Sequence, residues 1–133
     1  SDDLSMSNVL QALGATSYES MFDLLNNLID CDEVATVNKI TEIFNDGNDM
    51  KYFIDQFLSF LLDVTKYLLM KNVEVTRFPK SMVDELNRVI GIGNANDYHY
   101  LTNRVLDLKV LIKNDTDPFS TVVIKLVGIC RCQ

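Results

Sequence analysis

The sequence predicts an all-α protein, a compact antiparallel bundle of about five to seven helices. Three observations carry that expectation. Apolar residues recur at steps of three and four along most of the chain, with no convincing run of strict alternation. Glycine and proline are scarce, 5 and 2 in 133 residues, too few for the many tight turns of a β-sandwich. Capping residues and helix-stopping glycines divide the periodic stretches into seven segments with short connections, the pattern of an antiparallel array.

Ser5, Met6 and Ser7 precede residues 8–13, where Val9, Leu10 and Leu13 share one face and Gly14 ends a short helix. Thr16 and Glu19 then form a T-x-x-E capping box, in which hydroxyl and carboxylate satisfy free backbone N–H groups. Met21, Phe22, Leu24, Leu25, Leu28 and Ile29 carry that second helix to about Asp30. Asp32 caps a third, amphipathic through Val34, Val37, Ile40, Ile43 and Phe44 and broken by Gly47. Asn48 or Asp49 starts the longest element, residues 50–70, about 30 Å long at 1.5 Å per residue. Its Tyr52, Phe53, Phe57, Phe60, Leu61, Val64, Tyr67 and Leu68 cover much of the circumference, so it is expected to be buried against several neighbours.

Residues 73–78 (VEVTRF) are rich in β-branched side chains and close on Pro79, which predicts an extended connector and a helix starting at Pro79 or Lys80. Met82, Val83, Leu86, Val89 and Ile90 supply that helix's apolar face, with Gly91 and Gly93 ending it. Asn94 or Asn96 caps the sixth segment, in which Tyr98, Leu101, Val105, Leu108, Leu111 and Ile112 repeat at helical spacing. Asp117 followed by Pro118 starts the last helix, which runs to about Cys130.

Composition bounds the function. With 47% hydrophobic residues the chain can bury a core, and residues 1–133 read as one domain without repeats or linkers. The 19 acids against 12 bases give a charge of -7, the wrong sign for binding nucleic acid through counterion release. Charge is uneven: residues 1–49 hold ten acids and one base, Lys39, while residues 50–133 hold nine acids and eleven bases. Such polarity is ordinarily a solvated face; the sharper alternative is a head-to-tail assembly. Cys31, Cys130 and Cys132 form an odd set that defines no disulfide framework, so inert thiols in a reducing cytosol are expected. No secretory pattern opens the chain, and the longest apolar run, residues 57–62 (FLSFLL), is too short to span a bilayer. The expected location is cytoplasmic, with no membrane contact.

Catalytic and metal sites are not expected. No GxxxxGK[ST] loop exists to cradle phosphates, and Gly91-Ile92-Gly93 lacks the third glycine of a dinucleotide motif. His99 is the single histidine, without a partner for metal ligation or a Cys-His pair. Cys130-Arg131-Cys132 is too tightly spaced for the common CxxC site. Asp32-Glu33 and Asp84-Glu85 sit near helix N-termini, where the macrodipole favours acids without any catalytic role. Asn114-Asp115-Thr116 matches a glycosylation acceptor that a cytosolic chain does not use.

The order of the pieces resembles a known family. N-V-L-Q-A-L-G at residues 8–14, the spacer A-T-S-Y-E, and M-F-D-L-L-N-N-L-I-D at residues 21–30 are similar to the segment after the ATPase modules in the gamma/tau subunit of bacterial DNA polymerase III. There a short helix ending in L-G precedes one of the type F-x-L-L-x-x-L. Asn45-Asp46-Gly47-Asn48-Asp49 resembles the family's E-G-x-D loop, and residues 53–71 (FIDQFLSFLLDVTKYLLMK) its long helix with leucine pairs, an acid and a terminal Lys. Asp117-Pro118 is similar to the N-P start of the last collar helix. The chain departs from the family in lacking every ATPase motif, in its V-E-V-T-R-F-P connector, and in the acidic bias of its first 49 residues.

The resemblance implies an all-helical collar domain, domain III of the clamp loader, which holds ATPase modules in the ring that places a sliding clamp on primed DNA during DNA replication. Ser1 and the end at Gln133 suggest a fragment of a longer chain. ATP and Mg would belong to the upstream modules, with no cofactor and no enzymatic activity in this domain. The implied partners are other gamma/tau copies, delta and delta-prime, without direct nucleic-acid binding. Candidate interface residues on the two long helices are Tyr52, Phe57, Phe60, Tyr67, Tyr98, Leu101, Val105 and Leu108. The alternative is an unrelated helical interaction adaptor that holds a partner helix in a groove, with Tyr52, Tyr67, Tyr98 and Tyr100 as anchors.

Overall fold

A computed structural model of the chain describes residues 16–93 and 95–131. Among the described residues there are six α-helices and no strands: α1 (Tyr18–Ile29), α2 (Glu33–Asn45), α3 (Met50–Met70), α4 (Val83–Ile92), α5 (Ala95–Leu111) and α6 (Pro118–Arg131). The short helix expected at residues 8–13 and its Gly14 stop lie outside the described residues.

Capping explains most of the boundaries. The carboxylate of Asp32 accepts the Ala35 N–H at 3.0 Å, and that of Asp49 accepts the Tyr52 N–H at 2.9 Å, so both helices start where expected. At α1 the cap is Ser17, not Thr16: the Ser17 hydroxyl accepts the Ser20 N–H at 3.2 Å. Thr16 is drawn elsewhere, its backbone N–H donating to Gln56 Oε1 on α3 at 3.3 Å. Gly47, at φ +95, is the left-handed turn that stops the path of α2. The last helix starts as expected, with Asp117 accepting the Ser120 N–H and hydroxyl at 3.3 and 2.7 Å.

Three boundaries differ from the sequence reading. The helix expected from Pro79 or Lys80 begins at Lys80 as a 3₁₀ turn, Lys80–Met82, and becomes α-helical only at Val83. Gly91 does not end it; the helix runs through Ile92 and stops at Gly93. Asn96 lies inside the first turn of α5 and does not cap it, since that helix starts at Ala95.

The long helix α3 is the axis of the bundle. It packs along α5, and α6 closes the structure against α1, α2, α3 and α5. Phe53, Phe57, Leu61 and Val64 of α3 are fully buried, joined by Leu24, Leu25 and Leu28 of α1, Ile40 of α2, Leu86 and Val89 of α4, Tyr98 and Val105 of α5, and Val122 and Leu126 of α6. One hydrophobic cluster therefore unites all six helices. In α2 the buried stripe is narrower than expected: Ile40 and Ile43 are inside with Thr36, whereas Val34 is 72% exposed.

The 73–78 connector is not extended throughout. Val73–Val75 forms a 3₁₀ turn, and the chain then pins itself back onto α3. Asp63, buried on α3, accepts the Arg77 N–H at 3.4 Å and lies 3.7 Å from its guanidinium. Phe78 is buried in an aromatic cluster, its ring centroid 5.1, 5.9 and 5.7 Å from those of Tyr18, Phe22 and Phe60.

Tyr98 ties α5 to the end of α4. Its hydroxyl donates to the Val89 carbonyl at 2.8 Å, and a Cβ at Gly93 would meet that hydroxyl at 3.2 Å. Burial, with the charge of Asp97 second, pushes the Tyr98 phenol up to about 12. The neutral form is favoured in the fold, so this contribution is complete below the ordinary value near 10 and is lost as pH rises from there through 12. Stability is expected to drop by on the order of 2 kcal/mol across that window. Urea unfolding of the native chain and of Tyr98→Phe at pH 8, 10 and 11.5 checks it: the variant loses about 1 kcal/mol at pH 8 and shows a shallower alkaline decline.

Candidate interaction surface

The two long helices were expected to present an interface, and the structure places most of that stripe in the core. Phe57, Phe60, Tyr67, Tyr98, Leu101, Val105 and Leu108 are all buried, seven of the eight candidates. The physical reason is mutual: α3 and α5 pack on each other, so each stripe is the other's partner. Tyr52 alone remains on the surface, 50% exposed. The same burial removes Tyr67 and Tyr98 as anchors for a partner helix: Tyr67 donates its hydroxyl to Asn87 Oδ1 at 2.9 Å. Tyr100 is half-buried and His99 exposed.

A different surface collects exposed apolar side chains, at the C-terminal end of α5. Leu106 and Val110, one turn apart, face outward, Val110 at 70% exposure; Leu111 is 54% exposed and Ile124 on α6 is 67% exposed. Leu111 and Val110 each line a groove. One, of about 180 Å³, lies between α5 and α6 and is lined by Arg104, Asp107, Leu111, Lys125 and Ile129 among others. The second, of about 400 Å³, lies where the end of α5 meets the start of α3, lined by Lys51, Asp55, Lys109, Val110, Ile112 and Lys113.

The grooves carry more cations than anions. Lys109 pairs with Asp55 at 3.2 Å, and Lys51 donates to the Lys113 carbonyl at 3.1 Å, next to the negative end of the α5 dipole. Arg104 and Lys125 add charge beside the exposed Leu111, and Lys113 beside the exposed Val110. Beyond the end of α5, hydrogen bonds from the Thr121 hydroxyl and the Asp117 N–H hold the Asp115 carboxyl below its ordinary value, which fixes the turn into α6.

The opposite charge gathers on α1 and α2. Glu19, Asp23, Asp30, Asp32, Glu33, Glu42 and Asp46 belong to these helices or flank them. Lys39, the sole base of residues 1–49, bridges the pair, 3.4 Å from Asp23 and 3.2 Å from Glu42. Charge complementarity of this kind steers association and fixes its register. Sequence reading found the imbalance between the two parts of the chain. It missed Val110 and Ile124, which sit in the same periodic runs as the core residues beside them.

Among the described residues, no helix is long and apolar enough to cross a membrane, and no three His, Cys, Asp or Glu side chains group as a metal site. A family model described as DNA polymerase III subunits gamma and tau domain III matches residues 4–92, which spans 89 of the chain's 133 residues. The match contains α1 to α4 and stops before α5, so the likeness of Asp117-Pro118 to the family's last helix falls outside it. Searches of curated proteins and of solved structures return no match. The helical fold and a family match over two thirds of the chain agree, and the chain belongs to the DNA polymerase III gamma and tau domain III family, part of the DNA replication machinery.

Proposed function

We propose that this domain is a structural oligomerisation domain of the clamp loader, fixing the geometry of subunits that together place the sliding clamp on primed DNA. The observation that carries this reading is the family match over residues 4–92. ATP and Mg chemistry is assigned to ATPase modules of the loader and none to this domain, and the assembly is assigned to the cytoplasm. The partners are the collar domains of gamma/tau copies, delta and delta-prime.

The docking surface is the cationic, apolar end of α5 with α6, centred on Val110, Leu111 and Ile124, and its partner is an acidic face of the neighbouring subunit. Supporting this are the exposure of those three side chains and the Lys and Arg residues beside Val110 and Leu111. The acidic face of α1 and α2 is the complementary surface that a further copy offers. An adaptor unrelated to replication loses its premise with the family match.

Light scattering on the chain alone and mixed with delta and delta-prime collar domains tests the proposal. A species heavier than the 15.1 kDa chain is expected at micromolar concentration, weakening with salt. A 15.1 kDa monomer persisting at high micromolar concentration in every mixture contradicts it.

A further inference from the structure

The carbonyl of Leu28, in the last turn of α1, is approached by two cysteines from distant parts of the chain. The Cys31 backbone N–H donates to it at 3.2 Å, and the Cys130 thiol lies 4.0 Å from it. Helix α6 delivers Cys130 to the α1–α2 turn, where both cysteines share the Leu28 carbonyl and Cys31 is close enough to act on the Cys130 thiol. Cys31 is half-buried and Cys130 is 8% exposed. Cys31 also sits at φ +55, a left-handed conformation in which Gly or Asn is the less costly residue.

We propose that Cys31 and Cys130 are a redox modification site, oxidised by a small-molecule disulfide to a cross-link that staples the α1–α2 turn to the end of α6. The more accessible Cys31, as thiolate, attacks one sulfur of the small disulfide; that S–S bond breaks and one half leaves as a thiolate. The other half remains on Cys31 as a mixed disulfide. Cys130 loses its proton to solvent and attacks the Cys31 sulfur, forming the internal S–S bond and expelling the second half as a thiolate. The protein pair gives up two electrons and two protons, and the small disulfide takes up two electrons to become two thiols. Burial pushes the Cys130 thiol up, with the adjacent Cys31 adding to it, so the first attack falls to the more accessible Cys31, and Cys130 closes the bond because the fold holds it beside Cys31.

The cross-link closes a loop of about 100 residues, from 31 to 130, and restricts the unfolded chain accordingly. The melting temperature is expected to rise by roughly 10–15 °C on oxidation. The test uses the 133-residue chain with Cys132→Ser, which removes the neighbouring thiol as a competitor. It is incubated with oxidised glutathione and mapped by non-reducing peptide mass spectrometry. The expected result is a linked pair of peptides containing Cys31 and Cys130, lighter by two hydrogen atoms, and a melting shift reversed by dithiothreitol. Comparing the oxidised and reduced forms of one chain avoids any folding defect of a Cys130 variant. Glutathione retained on Cys31 without internal closure, cross-links between two molecules, or no shift on oxidation would each overturn the proposal. The outcome does not depend on whether the domain joins a clamp loader.

Discussion

Phe57→Ala is expected to cost about 4 kcal/mol of unfolding free energy and to lower the melting temperature by roughly 10–20 °C. Phe57 is fully buried at the middle of α3, its ring centroid 5.8 Å from that of Phe53 and 5.9 Å from that of Phe60. Through Phe60 the stack continues to Phe22 at 4.9 Å and Phe78 at 5.7 Å, so the lost ring removes support from an aromatic stack that joins α3 to α1 and the connector. A close-packed interior relaxes only partly around such a loss, which adds a cavity cost to the lost transfer free energy. Tyr52→Ala on the same helix is the control. Half of Tyr52 is already in water, so a change below about 1 kcal/mol is expected. Urea unfolding monitored by circular dichroism separates the two; equal losses would contradict the division between core and surface on α3.

The second large effect is on association and leaves the fold intact. Val110→Glu combined with Ile124→Glu replaces two exposed apolar side chains, one at the cationic end of α5 and one on α6. Glu is at least as good a helix former as Val or Ile, and both sites face solvent, so the melting temperature is expected to move by less than about 3 °C. Assembly should weaken by at least about tenfold, because the acids bury poorly and repel an acidic partner. Lys125→Glu alone should slow association and reduce its salt dependence, the behaviour of a rim charge. Unchanged affinity in the double variant would move the docking surface elsewhere on the domain.

Much of the fold was legible because helix signals are local. Asp32 and Asp49 cap α2 and α3 as their spacing implies, and Asp117-Pro118 opens α6. The misplaced boundaries have tertiary causes. Thr16 gives up the cap of α1 to Ser17, its hydroxyl donating to Asn48 Oδ1 at 3.5 Å and its N–H to Gln56 on another helix. The VEVTRF connector coils instead of extending because Asp63 and the Phe22–Phe60 cluster capture Arg77 and Phe78.

The proposed docking surface was far less legible. Period alone cannot separate a stripe that meets a neighbouring helix of the same chain from one that meets a partner, and α3 and α5 consume each other's stripes. Val110 and Leu111 sit beside Leu108 and Ile112 in sequence, yet only the fold shows which pair is covered. The charge contrast between residues 1–49 and 50–133 was visible at once, since it needs no partner residue to be known.

The central claim is that this domain is scaffolding that docks through the end of α5 and α6. Hydrogen exchange of the chain, free and mixed with the delta and delta-prime collar domains, tests it most directly. The expected result is new protection across residues 104–113 and 118–129 on mixing, with the core amides of α3 already slow in both states. Exchange that is identical with and without the partners at micromolar concentration, while the partners associate with each other, would contradict it.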